Sequence, residues 1–116
     1  MNIPKEQCRP WGYYEIISCT KDYQIKRIVV YPQQQLSYQR HSFRSEHWFI
    51  VSNKCKIILD DKVYSLSAGE SIDIPVKAWH RLKNISEENV VFIEIQTGTY
   101  FGEDDIERMQ DDYGRV

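Results

Sequence analysis

Gln39-Arg40-His41-Ser42-Phe43-Arg44-Ser45-Glu46 places an amide oxygen, an imidazole and a carboxylate within eight residues. A second stretch, Gly69 through Pro75-Val76-Lys77-Ala78-Trp79-His80 to Asn84, supplies another imidazole. Gln39 and His41 are two apart, so on a strand both point to one face. Four residues after His41 make a turn, and Glu46 opens the returning strand. His80 comes from a separate strand. Four such donors converging on one point suit a divalent metal. The expected ligands are therefore Gln39, His41, Glu46 and His80. Two imidazoles, a carboxylate and an amide suit Zn, Co, Ni, Mn or Fe without choosing among them.

The rest of the chain reads as short strands. Tyr23–Tyr31 is rich in β-branched and aromatic residues and stops at Pro32. Leu36–His41 and Glu46–Val51 read as a hairpin around Ser42–Ser45. Cys55–Leu59 and Lys62–Leu66 flank a tight turn at Asp60-Asp61. Ser71–Ile74 ends at Pro75, His80–Asn84 follows, and Val90–Gln96 is the strongest strand. Short strands with frequent turns predict a sandwich or barrel. Residues 103–110 are expected to form one short helix.

The two metal-donor stretches resemble the two motifs of the cupin superfamily, G-x5-H-x-H-x4-E-x6-G and G-x5-P-x-G-x2-H-x3-N. His41 and Glu46 fit the first; Gly69, Pro75, His80 and Asn84 fit the second. Gln33 and Asn53 stand where the first motif has glycines, Gln39 where it has a histidine, and Lys77 where the second has a glycine. Asn tolerates a left-handed φ, whereas Gln and Lys do so poorly. More narrowly, the chain resembles the cupin domain of type II phosphomannose isomerases, which is found behind a mannose-1-phosphate guanylyltransferase domain. The resemblance rests on Arg9-Pro10-Trp11-Gly12-Tyr13-Tyr14, on Lys26-Arg27-Ile28-Val29-Val30, on Leu36 through Trp48, and on Ile93 through Arg115 with its Gly102-Glu103-Asp104-Asp105-Ile106. In that family glutamine is usual at position 39.

The resemblance implies an all-β cupin, a double-stranded β-helix or jelly-roll barrel with a short C-terminal helix or tail, spanning 1–116 as a single domain. It implies an enzyme, a metal-dependent mannose-6-phosphate isomerase serving polysaccharide precursor metabolism, with one divalent ion. Glu94 and Lys26 are the expected catalytic residues, Glu94 as the base. Arg44, Arg9 and Gln96 are expected to bind substrate, with Arg44 in the turn at the barrel mouth. Lys26 shares a face with Ile28 and Val30; in the lumen its ammonium needs an anion, and facing outward it is an ordinary surface cation. His47 alternates with Glu46 and should face away from the metal. The alternative function is a non-catalytic cupin that binds a sugar phosphate or docks on a separate guanylyltransferase. A third option, a sugar-nucleotide epimerase, fits the intact ligand set poorly.

Composition bounds these readings. A chain of 116 residues buries one core. No apolar run is long enough to span a membrane, no leader is evident, and three cysteines without a CxxC pair read as free thiols. Cytoplasm is the expected location, without a membrane partner. Residues 101–116 carry six acids against Arg108 and Arg115, which argues against nucleic acid. Tyr100, Phe101, Ile106, Met109 and Tyr113 interleave with those acids, so the tail is expected to tie back onto the barrel. A homodimer through an outer sheet face is expected.

Overall fold

Every second residue is buried along stretches such as 44–50 and 90–96, whatever its polarity, which is the mark of strands with one inward face. The structure is a computed structural model that describes residues 3–110. A 3-10 turn at Lys5–Gln7 precedes β1 (Cys8–Arg9), β2 (Gly12–Cys19), β3 (Tyr23–Val30), β4 (Tyr38–Arg40), β5 (Arg44–Ser52), β6 (Lys54–Leu59), β7 (Lys62–Ser67), β8 (Ser71–Ile74), β9 (His80–Asn84), β10 (Val90–Gly98) and β11 (Glu107–Gln110). Among the described residues no helix is long and apolar enough to cross a membrane.

The strands form two sheets. One has the order β1-β2-β3-β10-β5-β8 and the other β11-β4-β9-β6-β7. Two facing sheets bury the inward side chain of every second residue. At one end those side chains are apolar: Val30, Ile50, Ile57, Leu82, Val90 and Phe92 are buried in one cluster. At the other end the same strands turn polar, with Gln24 and Lys26 on β3, Arg44 and Glu46 on β5, His80 on β9, and Glu94 and Gln96 on β10, all buried. The polar end is the site.

Two expectations are corrected. Leu36–His41 and Glu46–Val51 are not a hairpin: β4 and β5 lie in different sheets, and Ser42-Phe43 carries the chain across. Residues 103–110 are not a helix. Residues 103–105 turn, with Asp105 N–H donating to the Gly102 carbonyl, and β11 then pairs antiparallel with β4. The tail does tie back onto the barrel, yet Tyr100 and Met109 stay exposed. Tyr113 and Arg115 lie outside the described residues. β2 was absent from the sequence reading; it pairs with β3 and covers one side of the polar end.

The Asp60-Asp61 turn matches expectation. Both residues have positive φ (46° and 68°), the conformation that a two-residue hairpin with right-handed twist requires. Gln33, Asn53 and Lys77, the residues standing where the cupin motifs have glycine, also have positive φ, at 63°, 65° and 67°. The backbone keeps the left-handed turns although the glycines are gone. A side chain in that region costs roughly 1–2 kcal/mol, partly offset by the extra freedom glycine gives the unfolded chain. Lys77→Gly is therefore expected to stabilise the fold by up to about 1 kcal/mol. Chemical denaturation checks this, and unchanged or lower stability would contradict it.

Candidate metal centre and adjoining pocket

Strand geometry brings the donors together from both sheets. β5 begins at Arg44 and alternates, so Arg44, Glu46 and Trp48 all point inward and His47 does not. β9 starts at His80, opposite Gln39 of β4. His41 lies just past β4, its carbonyl accepting the Lys77 N–H at 2.8 Å.

His41, Glu46 and His80 form one buried group whose ligand atoms lie within 4.8 Å of one another. His41 Nε2 is 3.4 Å from Glu46 Oε2, and His80 Nε2 is 3.7 Å from Glu46 Oε1. Tetrahedral bonds of about 2.1 Å to a shared ion would set such atoms about 3.4 Å apart. Each imidazole is fixed in one tautomer. His41 Nδ1–H donates to the Asp105 carbonyl at 2.7 Å, and His80 Nδ1–H to the Ala78 carbonyl at 2.9 Å. Both Nε2 atoms are thereby unprotonated and turned toward the centre, where the His41 lone pair is shared with Arg44. His80 Nε2 is buried without a hydrogen-bond partner among the described residues. An orphaned lone pair aimed at a carboxylate fits a cation between them, so the donor set fits a divalent ion. Gln39 lies beside this group, bordering an adjoining pocket with His41, and its Oε1 accepts from Ser37 Oγ at 3.2 Å.

Burial dominates the titration of this end. It pulls His41 down to about 4, with the Arg44 charge adding to the effect. It also pulls His80 down to about 4. Glu94 moves the other way, pushed up to about 7 by burial and then by the Glu46 charge. Trp48 Nε1–H links the two carboxylates, donating to Glu46 Oε1 at 2.9 Å and to Glu94 Oε1 at 3.1 Å. Gln96 Nε2 donates to Glu94 Oε2 at 2.7 Å, and Gln24 Nε2 to Gln96 Oε1 at 2.9 Å. This chain of amides fixes the Glu94 carboxyl. No sequence signal pointed to Trp48 as the bridge.

Arg44 is the main positional surprise. It does not sit in a turn at the mouth; it is buried at the start of β5. Its Nε–H donates to Glu46 Oε2 at 2.8 Å and its Nη2–H to His41 Nε2 at 3.2 Å. Burial works against its charge, but Glu46 and Glu94 outweigh that and raise its pKa.

An open pocket adjoins the donors and is bordered by Arg9, Lys26, Gln39, His41, Arg44 and Glu94 among others. Lys26 faces the lumen, settling the choice the sequence left open. Its anion is Glu103 at 2.8 Å, not Glu46. Tyr14 and Glu103 also line the pocket. Both lie in the stretches Arg9–Tyr14 and Gly102–Ile106 that carried the resemblance, though neither was singled out.

Two facing sheets with two histidines and a glutamate inside define a double-stranded β-helix of the cupin type. An uncharacterized conserved protein with a double-stranded β-helix domain from Klebsiella pneumoniae superposes with a TM-score of 0.77 at 17% identity, over 91% of this chain and 93% of that one. The family described as Mannose-6-phosphate isomerase C-terminal matches residues 1–111, and the chain belongs to it. Alginate biosynthesis protein AlgA of Pseudomonas aeruginosa is 44% identical over 111 residues, which is 96% of this chain and 23% of that protein. Mannose-1-phosphate guanylyltransferase of Escherichia coli is 42% identical over 114 residues, 98% of this chain and 24% of that protein. The chain thus spans about a quarter of the length of these relatives.

Proposed function

We propose that the chain is a metal-dependent isomerase that interconverts mannose 6-phosphate and fructose 6-phosphate. The observation that carries this reading is Glu94, a carboxyl raised to about 7 and joined through one indole N–H to the carboxylate of the His41/Glu46/His80 group. A base titrating near neutrality beside a cation site is what proton transfer between adjacent carbons needs. A divalent ion held by His41, Glu46 and His80, with Gln39 as a further donor, would supply Lewis acidity toward the sugar's carbonyl and hydroxyl oxygens. Glu94 takes the proton from C2 as the C1=C2 bond of the enediol forms and O1 gains a proton, then returns its proton to C1 as O2 gives up its hydroxyl proton and the C2=O bond forms. Carbon 1 is reduced and C2 oxidised, so no external electron carrier is needed. Gln96 and Trp48 hold the Glu94 oxygens so that only the proton moves. Lys26, opposite Glu94 in register, offsets part of the rise in its pKa. Arg9, Lys26 and Arg44 gather the phosphate and fix the sugar against Glu94. The chain works as a homodimer through the outer face of the larger sheet, where Phe49 and Val51 are exposed.

One observation favours a second reading. The Arg44 guanidinium already bonds both Glu46 and His41, and this internal cation competes for the donors a metal would use. A cupin that binds a sugar phosphate without turning it over fits that arrangement.

An isomerase assay with added divalent ions separates the two. Turnover is expected to vanish on chelation, return with metal, and be lost in His41→Ala/His80→Ala along with the bound metal measured by elemental analysis. Metal-loaded protein that binds the sugar phosphate, yet gives neither turnover nor deuterium at C2 in deuterated water, would leave the binding role.

A further inference from the structure

The turn at 103–105 lays a carboxylate across the cations of the pocket. Glu103 Oε2 is 2.8 Å from Lys26 Nζ, and Oε1 is 3.7 Å from Arg9 Nη2. Lys26 is only 4% exposed, and its ammonium lies 4.3 Å above the Tyr14 ring. Arg9 packs on the same ring at 5.1 Å and donates to the Tyr14 hydroxyl at 3.5 Å. An ammonium so deeply placed needs an anion at all times. Glu103 supplies it from outside, with 53% of its side chain still in solvent. Leaving the pair returns the Glu103 carboxylate to water and costs it only its attraction to the two cations, while Lys26 has nowhere else to go.

Nor does Glu103 hold the turn in place. That task falls to Asp105, whose two carboxylate oxygens accept the Ser42 and Phe43 N–H groups, both at 2.9 Å. The Glu103 side chain can swing away while the strap stays fastened. The fit of Glu103 to the cations is also incomplete. It reaches Lys26 well and Arg9 only at 3.7 Å. Arg44 Nη1, in the same pocket, has no hydrogen-bond partner among the described residues. A phosphate monoester carries more charge than one carboxylate and has three acceptor oxygens for these donors.

We propose that Glu103 is an internal stand-in for substrate: it fills the phosphate subsite built by Lys26 and Arg9, and a sugar phosphate enters by displacing it. The inference rests on the sugar-phosphate reading above and adds what guards the subsite. It also makes Glu103 a specificity determinant. A neutral sugar brings no charge to replace the carboxylate and leaves Lys26 paired as before, whereas a phosphate does replace it.

Calorimetric binding of inorganic phosphate, mannose 6-phosphate and mannose to wild type, Glu103→Gln, Glu103→Asp and Lys26→Met tests the idea. Glu103→Gln is expected to bind inorganic phosphate about tenfold tighter than wild type, as for the loss of one competing charge near a partly buried cation. Glu103→Asp keeps the charge but reaches less far, and its affinity is expected to fall between them. Mannose affinity is expected to be the same in wild type and Glu103→Gln, and Lys26→Met should remove the phosphate gain when combined with Glu103→Gln. Equal or weaker phosphate binding by Glu103→Gln overturns the proposal, even if the wild type isomerises mannose 6-phosphate. A clear gain without any turnover upholds the subsite and removes the isomerase reading instead.

Discussion

Glu94→Gln, assayed with metal supplied, is expected to lower mannose 6-phosphate turnover by about 10²–10⁴-fold, the range for removing a positioned general base. Deuterium incorporation at C2 should vanish with it. The substitution is close to isosteric. Trp48 Nε1–H can still donate to the new amide oxygen. Gln96 now meets an amide nitrogen where it donated to Glu94 Oε2, so its own amide must turn over and give up the bond from Gln24. That rearrangement costs stability, not the fold. The bound metal and the affinity for fructose 6-phosphate are expected to stay near those of wild type, so the loss appears in kcat. Turnover within a few-fold of wild type would remove Glu94 from the mechanism.

In chelator-treated protein, stability is expected to fall by about 1.4 kcal/mol per pH unit as pH drops from about 6.5 to 4.5. His41 and His80 have folded values near 4 against 6.5 in the unfolded chain. Below pH 6.5 the unfolded chain therefore binds two protons that the fold refuses. Glu94 works in the opposite sense. Its folded value is near 7 against 4.5, so the fold keeps one proton the unfolded chain has lost. The net is one proton taken up on unfolding, and stability rises with pH across this window. Above pH 7 these three groups contribute no further slope. Glu94→Gln removes the opposing proton and should steepen the fall. Denaturant titrations between pH 4.5 and 8 read the slope directly. A flat profile would mean that the two imidazoles are charged in the fold or were never buried.

Much of the site was legible because the strand period does the placing. Residues 44, 46 and 48 share one face of β5, and 94 and 96 share one face of β10. The same alternation could have turned Arg44 inward beside Glu46; assigning it to a turn hid that. Crossing between sheets was not legible. Ser42-Phe43 looks like a turn whether the chain doubles back within one sheet or passes to the other, and only partners distant in sequence decide. The helix expected at 103–110 failed for the same reason. The strand found there exists through pairing with β4, and the anion for Lys26 comes from 77 positions away. The left-handed turns at Gln33 and Lys77 were legible only through the glycines they replace, since neither residue favours that conformation.

Asp105 grips the loop after β4 three times: twice by its carboxylate, at Ser42 and Phe43, and once by its carbonyl, at His41 Nδ1. The aim of one imidazole is thus set by a residue 64 positions further along. In evolutionary terms the two segments form a single heritable part. A recombination point anywhere between Glu46 and Gly102 would pair one parent's loop with the other parent's strap. Chimeras that keep 36–46 and 99–110 from the same parent should retain the site geometry, while those that divide them would have to rebuild the orientation of His41 from unmatched halves.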